Sequence, residues 1–196
     1  MITQKIIAKL MIESVRDPVR AVPKLLALDL PMEARWIGLG IVVALSGVST
    51  VIAGWLFPMP VDVPWAEITS SPLRMAMIQG LGMIFVAGTM AYVGQLFGGK
   101  GQFRDSLLLA VWTEAVLLVI QFAQLFTMIL FPFIASILAL ASFILLFWMI
   151  SGFTMGLHGF KSRAAVLIGL IATLFVAGTI FLLILSAFGL APIAGV

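Results

Sequence analysis

One glutamate and two glutamines form a polar stripe inside a long apolar run of the chain: Glu114, Gln121 and Gln124. On a helix at 100° per residue, Gln121 falls on nearly the same face as Glu114, and Gln124 is displaced by about 80°. Ionisable groups inside a membrane are functional candidates, so the stripe could carry protons or a polar solute. It could also supply hydrogen bonds between packed helices. The packing interpretation is favoured, because a transport path should use ionisable residues from other apolar runs and none is evident.

The one histidine, His158, ends another apolar run and precedes Gly159, a residue type at which helices often terminate. A single imidazole cannot hold a metal ion, and the nearest conceivable additional ligands are Glu114 and Asp105. We expect a capping or interface role for His158, with a polar cluster that includes Glu114 as the alternative. The chain has no cysteine, no Ser/His/Asp arrangement, no paired catalytic carboxylates and no HExxH sequence. The sequence therefore predicts no enzyme, no metal site and no cofactor.

The stretch Gly98-Gly99-Lys100-Gly101 resembles the start of a phosphate-binding loop, because glycines and a lysine precede an apparent helix. A Walker-type loop requires Ser or Thr after its Gly-Lys pair and a strand before it. Gln102 follows this stretch and no strand precedes it, so a nucleotide site is not expected. Glycines instead allow the backbone to reverse between two helices. The alternative is that basic residues of this loop and of a later one contact lipid phosphates or a partner: Lys100, Arg104, Lys161 and Arg163.

Five apolar runs must position these residues. The chain is 63% hydrophobic and 10% charged, with mean hydropathy +1.24, whereas a soluble domain carries roughly 25% charged residues. This composition predicts an all-α integral membrane protein with no nucleic-acid or nucleotide partner. At about 20 apolar residues per crossing, the predicted spans are 36–57, 73–97, 106–130, 133–157 and 164–188. Pro132 lies near the middle of the longest apolar region and predicts a tight, uncharged hairpin there.

Two small-residue patterns could allow helix backbones to approach closely: Gly94-x-x-x-Gly98 and Gly152-x-x-x-Gly156. Since the chain has 18 glycines, such spacings are also expected by chance. The patterns are therefore a weak indication of close packing.

The basic residues predict the orientation of the chain. If the N-terminus is inside, every Lys and Arg except Arg74 falls on the cytoplasmic side, where such residues are retained. The loop 58–71 carries Asp62 and Glu67 without a basic residue, and the segment from 189 onward is uncharged. We expect a cytoplasmic N-terminus and an external C-terminus.

Residues 1–35 are predicted to form a cytoplasmic arm, separate from a five-helix transmembrane domain at 36–196. Ile2, Ile6 and Leu10 recur at helical spacing, with basic residues on the other faces. Such an amphipathic helix could lie on the inner leaflet, held by apolar burial and by anionic lipid. It could equally pack on the cytoplasmic ends of the bundle, which would produce the same pattern. Pro18 and Pro23 are expected to break the arm before the first span.

Three features together resemble bacterial members of the Yip family, five-span membrane proteins related to the Ypt/Rab-interacting proteins. They are the sequence LFGGKGQFRDSLLLAVW, the proline-centred tight turn and the sequence HGFKS. The resemblance covers most of residues 20–190 and implies the same five-span fold, with a non-enzymatic role in membrane organisation or trafficking. Eukaryotic relatives carry an Asp-Leu-Tyr-Gly-Pro type motif before their first span. This chain has only Asp29-Leu30-Pro31 there, so GTPase binding is not carried over.

The predicted function is therefore that of a scaffold or membrane-organising factor. Its predicted partners are membrane lipids and another membrane protein or a second copy of the chain, and its predicted location is a bacterial cytoplasmic membrane. The alternative is a small transporter or channel component that uses Glu114, Gln121 and Gln124. A lipid-modifying enzyme is the least favoured class, because it would need a second polar cluster near the interface and only His158, Lys161 and Arg163 are available.

Overall fold

The computed structural model describes residues 4–57 and 71–188, and within these ranges all regular structure is helical. The predictions made for the acidic loop 58–71 and for the segment from 189 onward concern residues that lie outside the described ranges, apart from residue 71. The helices run as follows: α1 Gln4–Arg16, α2 Pro18–Leu26, α3 Met32–Leu56, α4 Pro72–Leu96, α5 Phe103–Leu130, α6 Pro132–His158 and α7 Arg163–Ala187.

The helices α3 to α7 contain 25 to 28 residues each and are long and apolar enough to cross a membrane. The prediction of an all-α protein with five membrane-spanning helices is confirmed. The helix ends lie within four residues of the predicted span ends. The largest difference is at α3, which begins at Met32, directly after Pro31, so that Arg35 lies inside the helix.

Pro132 begins α6 one residue after α5 ends, and Phe131 alone separates the two helices. The missing N–H of proline costs nothing at the first position of a helix, where the donor has no partner within the helix. The Phe131 N–H donates to the Thr127 carbonyl, which closes the last turn of α5. The tight hairpin predicted from Pro132 is present, and α5 and α6 pack along each other.

The arm consists of two helices, and the prediction that Pro23 breaks it is wrong. Pro18 does interrupt the segment: it begins α2, and the Asp17 side chain caps the new helix. Pro23 lies within α2. A proline there leaves the carbonyl four residues earlier without its helical partner, and this carbonyl, that of Val19, lies against Gly156 of α6. Packing of α2 on α6 therefore outweighs the local cost of the proline.

α5 is the central helix of the described bundle. It contacts α3, α4 and α6, and half of its most apolar stretch is buried. Leu109 and Leu107 of α5 belong to two separate core clusters, one shared with the arm and α6 and the other with α3 and α4. By contrast, α7 contacts only α6 and α4 to any extent and leaves most of its surface open.

Candidate functional site at the basic end of the bundle

The side chains that could act chemically lie mainly at one end of the bundle, where α3, α5 and α7 begin and α4 and α6 end. This end, called the basic end below, carries His158 and the glycine loop, which is the stretch Gly98-Gly99-Lys100-Gly101 between α4 and α5. The His158 side chain is buried, with 6% of the residue exposed. Its Nε2 lies 2.8 Å from the Met90 carbonyl, and its Nδ1 accepts a hydrogen bond of 3.1 Å from the Gly101 N–H. These partners correspond to a neutral imidazole that carries its proton on Nε2.

The His158 ring fits at the basic end because the residues beside it are glycines, which have no side chain. A Cβ added to Gly94, Gly99 or Gly101 would overlap the His158 ring in each case. The ring also stacks on Phe160, with centroids 5.3 Å apart. The stretch that resembles a phosphate-binding loop therefore packs against a histidine of the same chain. The His158 ring occupies the space beside Gly99 and Gly101. The expected chain reversal is present, with Gly98 at φ 81°.

His158 ends α6 beside the left-handed Gly159, and it joins α6 to α4 and to the glycine loop. This is a capping and interface position. The alternative cluster with Glu114 is not formed among the described residues, because both ring nitrogens of His158 are engaged elsewhere and Glu114 contacts other helices.

A second polar group at the basic end is centred on Arg35, whose side chain is only 1% exposed. Its guanidinium pairs with Asp105 at 3.0 Å and donates to the carbonyls of Leu30 and Arg104. Arg104 in turn lies 3.5 Å from Asp29 and 3.4 Å from Asp105. A buried charge is tolerated when it is paired and hydrogen-bonded. These ion pairs connect the segment before α3 to the start of α5.

Glu114 lies near the middle of the bundle and faces α3 and α4. Its Oε1 accepts hydrogen bonds from the Ser46 hydroxyl at 2.9 Å and from the Gln79 amide at 2.7 Å. Sequence reasoning missed both partners, although each is a polar residue within an apolar run. A cavity of about 240 Å³ lies beside the carboxylate, lined by α4, α5 and α6 and by Leu174 of α7.

The arm is fastened to α5 and α6 by two tryptophans. The Trp112 indole donates to the Ser14 hydroxyl at 2.9 Å, and the Trp148 indole donates to the Val15 carbonyl at 2.9 Å. Arg163 covers the Trp148 ring, 3.3 Å from its centroid, and donates to the Trp148 carbonyl. α1 thus lies against the bundle rather than apart from it.

The pattern Gly152-x-x-x-Gly156 is the second attachment. A Cβ on Gly152 would overlap Pro18, and a Cβ on Gly156 would lie 2.8 Å from a Val22 methyl group. The glycines on α6 therefore admit the backbone of α2, not that of another long helix. Trp112, Trp148 and Gly152 are the contacts that sequence reasoning did not connect with the arm.

The sequence profile of the Yip1 domain matches residues 12–189, nearly the whole chain. The chain belongs to the Yip1 domain family. The resemblance seen in the glycine loop and in the segment after α6 is thereby confirmed, and the protein is a multi-pass membrane protein of a family associated with trafficking. Comparison with curated proteins and with solved structures gives no match.

In this Yip1 domain, the segment Asp29-Leu30-Pro31 lies between α2 and α3. Asp29 has a positive φ of 41° and lies close to Arg104. The Leu30 carbonyl oxygen accepts a hydrogen bond of 2.9 Å from Arg35 Nε. The residues of this segment thus contribute to the ion-pair group that holds the basic end together.

The other residues that the sequence suggested as site residues lie in two different places in the structure. Gln121 and Gln124 lie two to three turns beyond Glu114 on α5, and neither bonds to it among the described hydrogen bonds. Lys100 and Lys161 are exposed at the basic end. Arg163 is held over Trp148, and Arg104 forms ion pairs although 54% of its side chain is exposed, so lipid or partner contact stays a prediction for Arg104 and the two lysines.

Proposed function

We propose that this Yip1 domain protein is a non-enzymatic scaffold that organises a partner protein at the membrane. The observation that carries the proposal is the attachment of the arm: two indole hydrogen bonds and two glycine contacts hold α1 and α2 at a set position on α5 and α6. A binding element that is already ordered loses less conformational entropy when a partner binds.

The exposed side of α1 has the composition of a binding edge. Ile12 is 56% exposed, and Ile6 is 46% exposed. Lys5, Lys9 and Arg16 lie on the exposed faces of the same helix. At 100° per residue Ile6 and Ile12 lie about 120° apart on α1, with the three basic residues between them. A basic strip with apolar side chains on both sides suits either an acidic helical partner or the surface of an anionic leaflet.

Family membership supports a role without catalysis. The polar groups of the interior also support it, because the buried His158, Arg35 and Ser46 side chains each bond to groups of the same chain. We further propose that the basic end faces the cytoplasm and that the membrane is a bacterial cytoplasmic membrane. The distribution of Lys and Arg in the sequence supports this orientation.

The proposal is tested by photo-crosslinking in native membranes. A photoreactive amino acid at Ile12 should give a reproducible protein adduct, which affinity purification and mass spectrometry would identify. The matched control is Ile134 near the start of α6, which is 44% exposed and lies 14 residues, about 21 Å along the helix, from Trp148, the α6 residue that bonds to the arm. Lipid adducts alone from both positions, in repeated trials, would count against a scaffold that binds protein.

A second candidate function is transport, which the cavity beside Glu114 favours. The cavity of about 240 Å³ is lined mostly by apolar groups, with Glu114, Gln79 and Thr113 as its polar members. If protons cross here, liposomes that contain the protein should show a proton flux that Glu114→Gln abolishes while the fold stays intact. Equal flux in wild-type, variant and protein-free liposomes would exclude proton transport through Glu114.

A further inference from the structure

A groove of about 470 Å³ runs between α4 and α7 at the basic end. Small or apolar side chains line it, among them Val93 on α4 and Ala165 and Gly169 on α7. From Ala165 to Thr173 the groove follows α7 for about 12 Å at 1.5 Å per residue. Pockets of roughly 300 to 1,000 Å³ hold small organic ligands.

The groove is open because α7 packs loosely against α4. None of the most apolar stretch of α7 is buried. A Cβ added to Gly169 would meet nothing within 4 Å. In a protein that crosses a membrane, an open apolar groove of this kind adjoins the acyl chains of the bilayer.

A basic side chain, that of Lys161, lies at one end of the groove. Lys161 lines it at the basic end and is exposed, and among the described residues it forms no ion pair. Arg163, two residues later, is held over Trp148 instead. A lipid whose chain lies along Ala165 and Gly169 would bring its headgroup to the level of the Lys161 ammonium.

We propose that this groove is a binding site for one anionic phospholipid, with an acyl chain between α4 and α7 and the phosphate at Lys161. Basic pockets between membrane helices bind acidic headgroups in this way. The acyl chain and the headgroup of the lipid make separate contributions to binding. The groove accepts the acyl chain of any phospholipid, and Lys161 favours a headgroup with negative charge.

Native mass spectrometry of the full chain, purified in detergent and titrated with phosphatidylglycerol or phosphatidylcholine, tests the two contributions. Gly169→Leu should fill the groove and remove the first tightly bound lipid of either class. Lys161→Ala should keep a bound lipid but lower the preference for phosphatidylglycerol by about five-fold, the ratio that corresponds to about 1 kcal/mol per basic residue near a membrane surface.

Matched controls make the result decisive. Gly40→Leu on α3 is also free of contacts within 4 Å, and Lys100→Ala removes another exposed lysine at the basic end that does not line the groove. Both controls should bind lipid as wild type does. Unchanged lipid binding in Gly169→Leu would overturn the proposal. The proposal would also be overturned if wild type bound no lipid but formed a dimer that Gly169→Leu abolished. The groove would then be the contact with a second copy of this protein.

Discussion

Substitution of Gly94 by alanine tests how tightly the last turn of α4 packs against His158. The three atoms nearest to a Cβ at this position all belong to the imidazole, so the new methyl group and the ring cannot both keep their places. Overpacking of this kind costs about 1–3 kcal/mol. If the ring moves, its hydrogen bonds to Met90 and Gly101 are lost as well, at about 1 kcal/mol each. We expect Gly94→Ala to lower the free energy of unfolding by about 3 kcal/mol.

The double variant separates this clash from other effects of the substitution. His158→Ala removes the ring, and the methyl group of Gly94→Ala then enters vacated space. The two changes should therefore couple by about 2–3 kcal/mol, so that the double variant is no less stable than His158→Ala alone. Gly47→Ala on α3 is the control for helix propensity, because a Cβ there meets nothing within 4 Å.

The assay is reversible unfolding in mild detergent, followed by far-UV circular dichroism and tryptophan fluorescence. The control should be neutral or stabilised by up to about 1 kcal/mol, as alanine is a better helix former than glycine. If Gly94→Ala behaves like Gly47→Ala, or if its effect simply adds to that of His158→Ala, the close packing of Gly94 against the His158 ring is refuted.

Three further predictions concern Glu114, the attachment of the arm and the orientation of the chain. Glu114→Leu should lower the free energy of unfolding by about 1–3 kcal/mol in the same assay, because Ser46 and Gln79 both lose an acceptor. Glu114→Gln should lower it by less than half as much, because the amide still forms hydrogen bonds. Equal stability of the leucine variant and wild type would exclude a packing role. Gly152→Leu should displace α2 and raise the rate of tryptic cleavage within the arm by roughly 5- to 150-fold, while Gly40→Leu should not. A topology reporter inserted after Gly101 should report the cytoplasm and one fused after Val196 the outside, and the reversed pattern would contradict the proposed orientation.

The helices of this protein could be predicted from sequence because a bilayer imposes its own thickness on apolar runs. About 20 apolar residues are needed per crossing whatever they pack against, and Pro132 marked the one boundary inside a continuous apolar region. The start of α3 was predicted at residue 36, four residues too late, because a charged residue such as Arg35 was expected outside the span. In the structure its burial is compensated by Asp105, a pairing over 70 positions that no local pattern contains.

The candidate site was predicted less well, because its partners are distant in sequence. His158 was expected at a helix end, and it is there, yet nothing local indicated that Gly94, Gly99 and Gly101 would enclose it. Trp112 carried a usable signal: an indole N–H in an apolar run requires an acceptor. Its acceptor, Ser14, lies 98 positions away in the arm.

The proposed function requires the arm to act from a set position on the five-helix body. The most direct measurement is the yield of the protein adduct from a photoreactive residue at Ile12, compared in native membranes between the wild-type chain, Gly152→Leu and Gly40→Leu at equal expression. We expect a strong adduct in wild type and Gly40→Leu and a several-fold weaker one in Gly152→Leu, since a released arm must be ordered again when the partner binds. An undiminished yield in Gly152→Leu would contradict the claim.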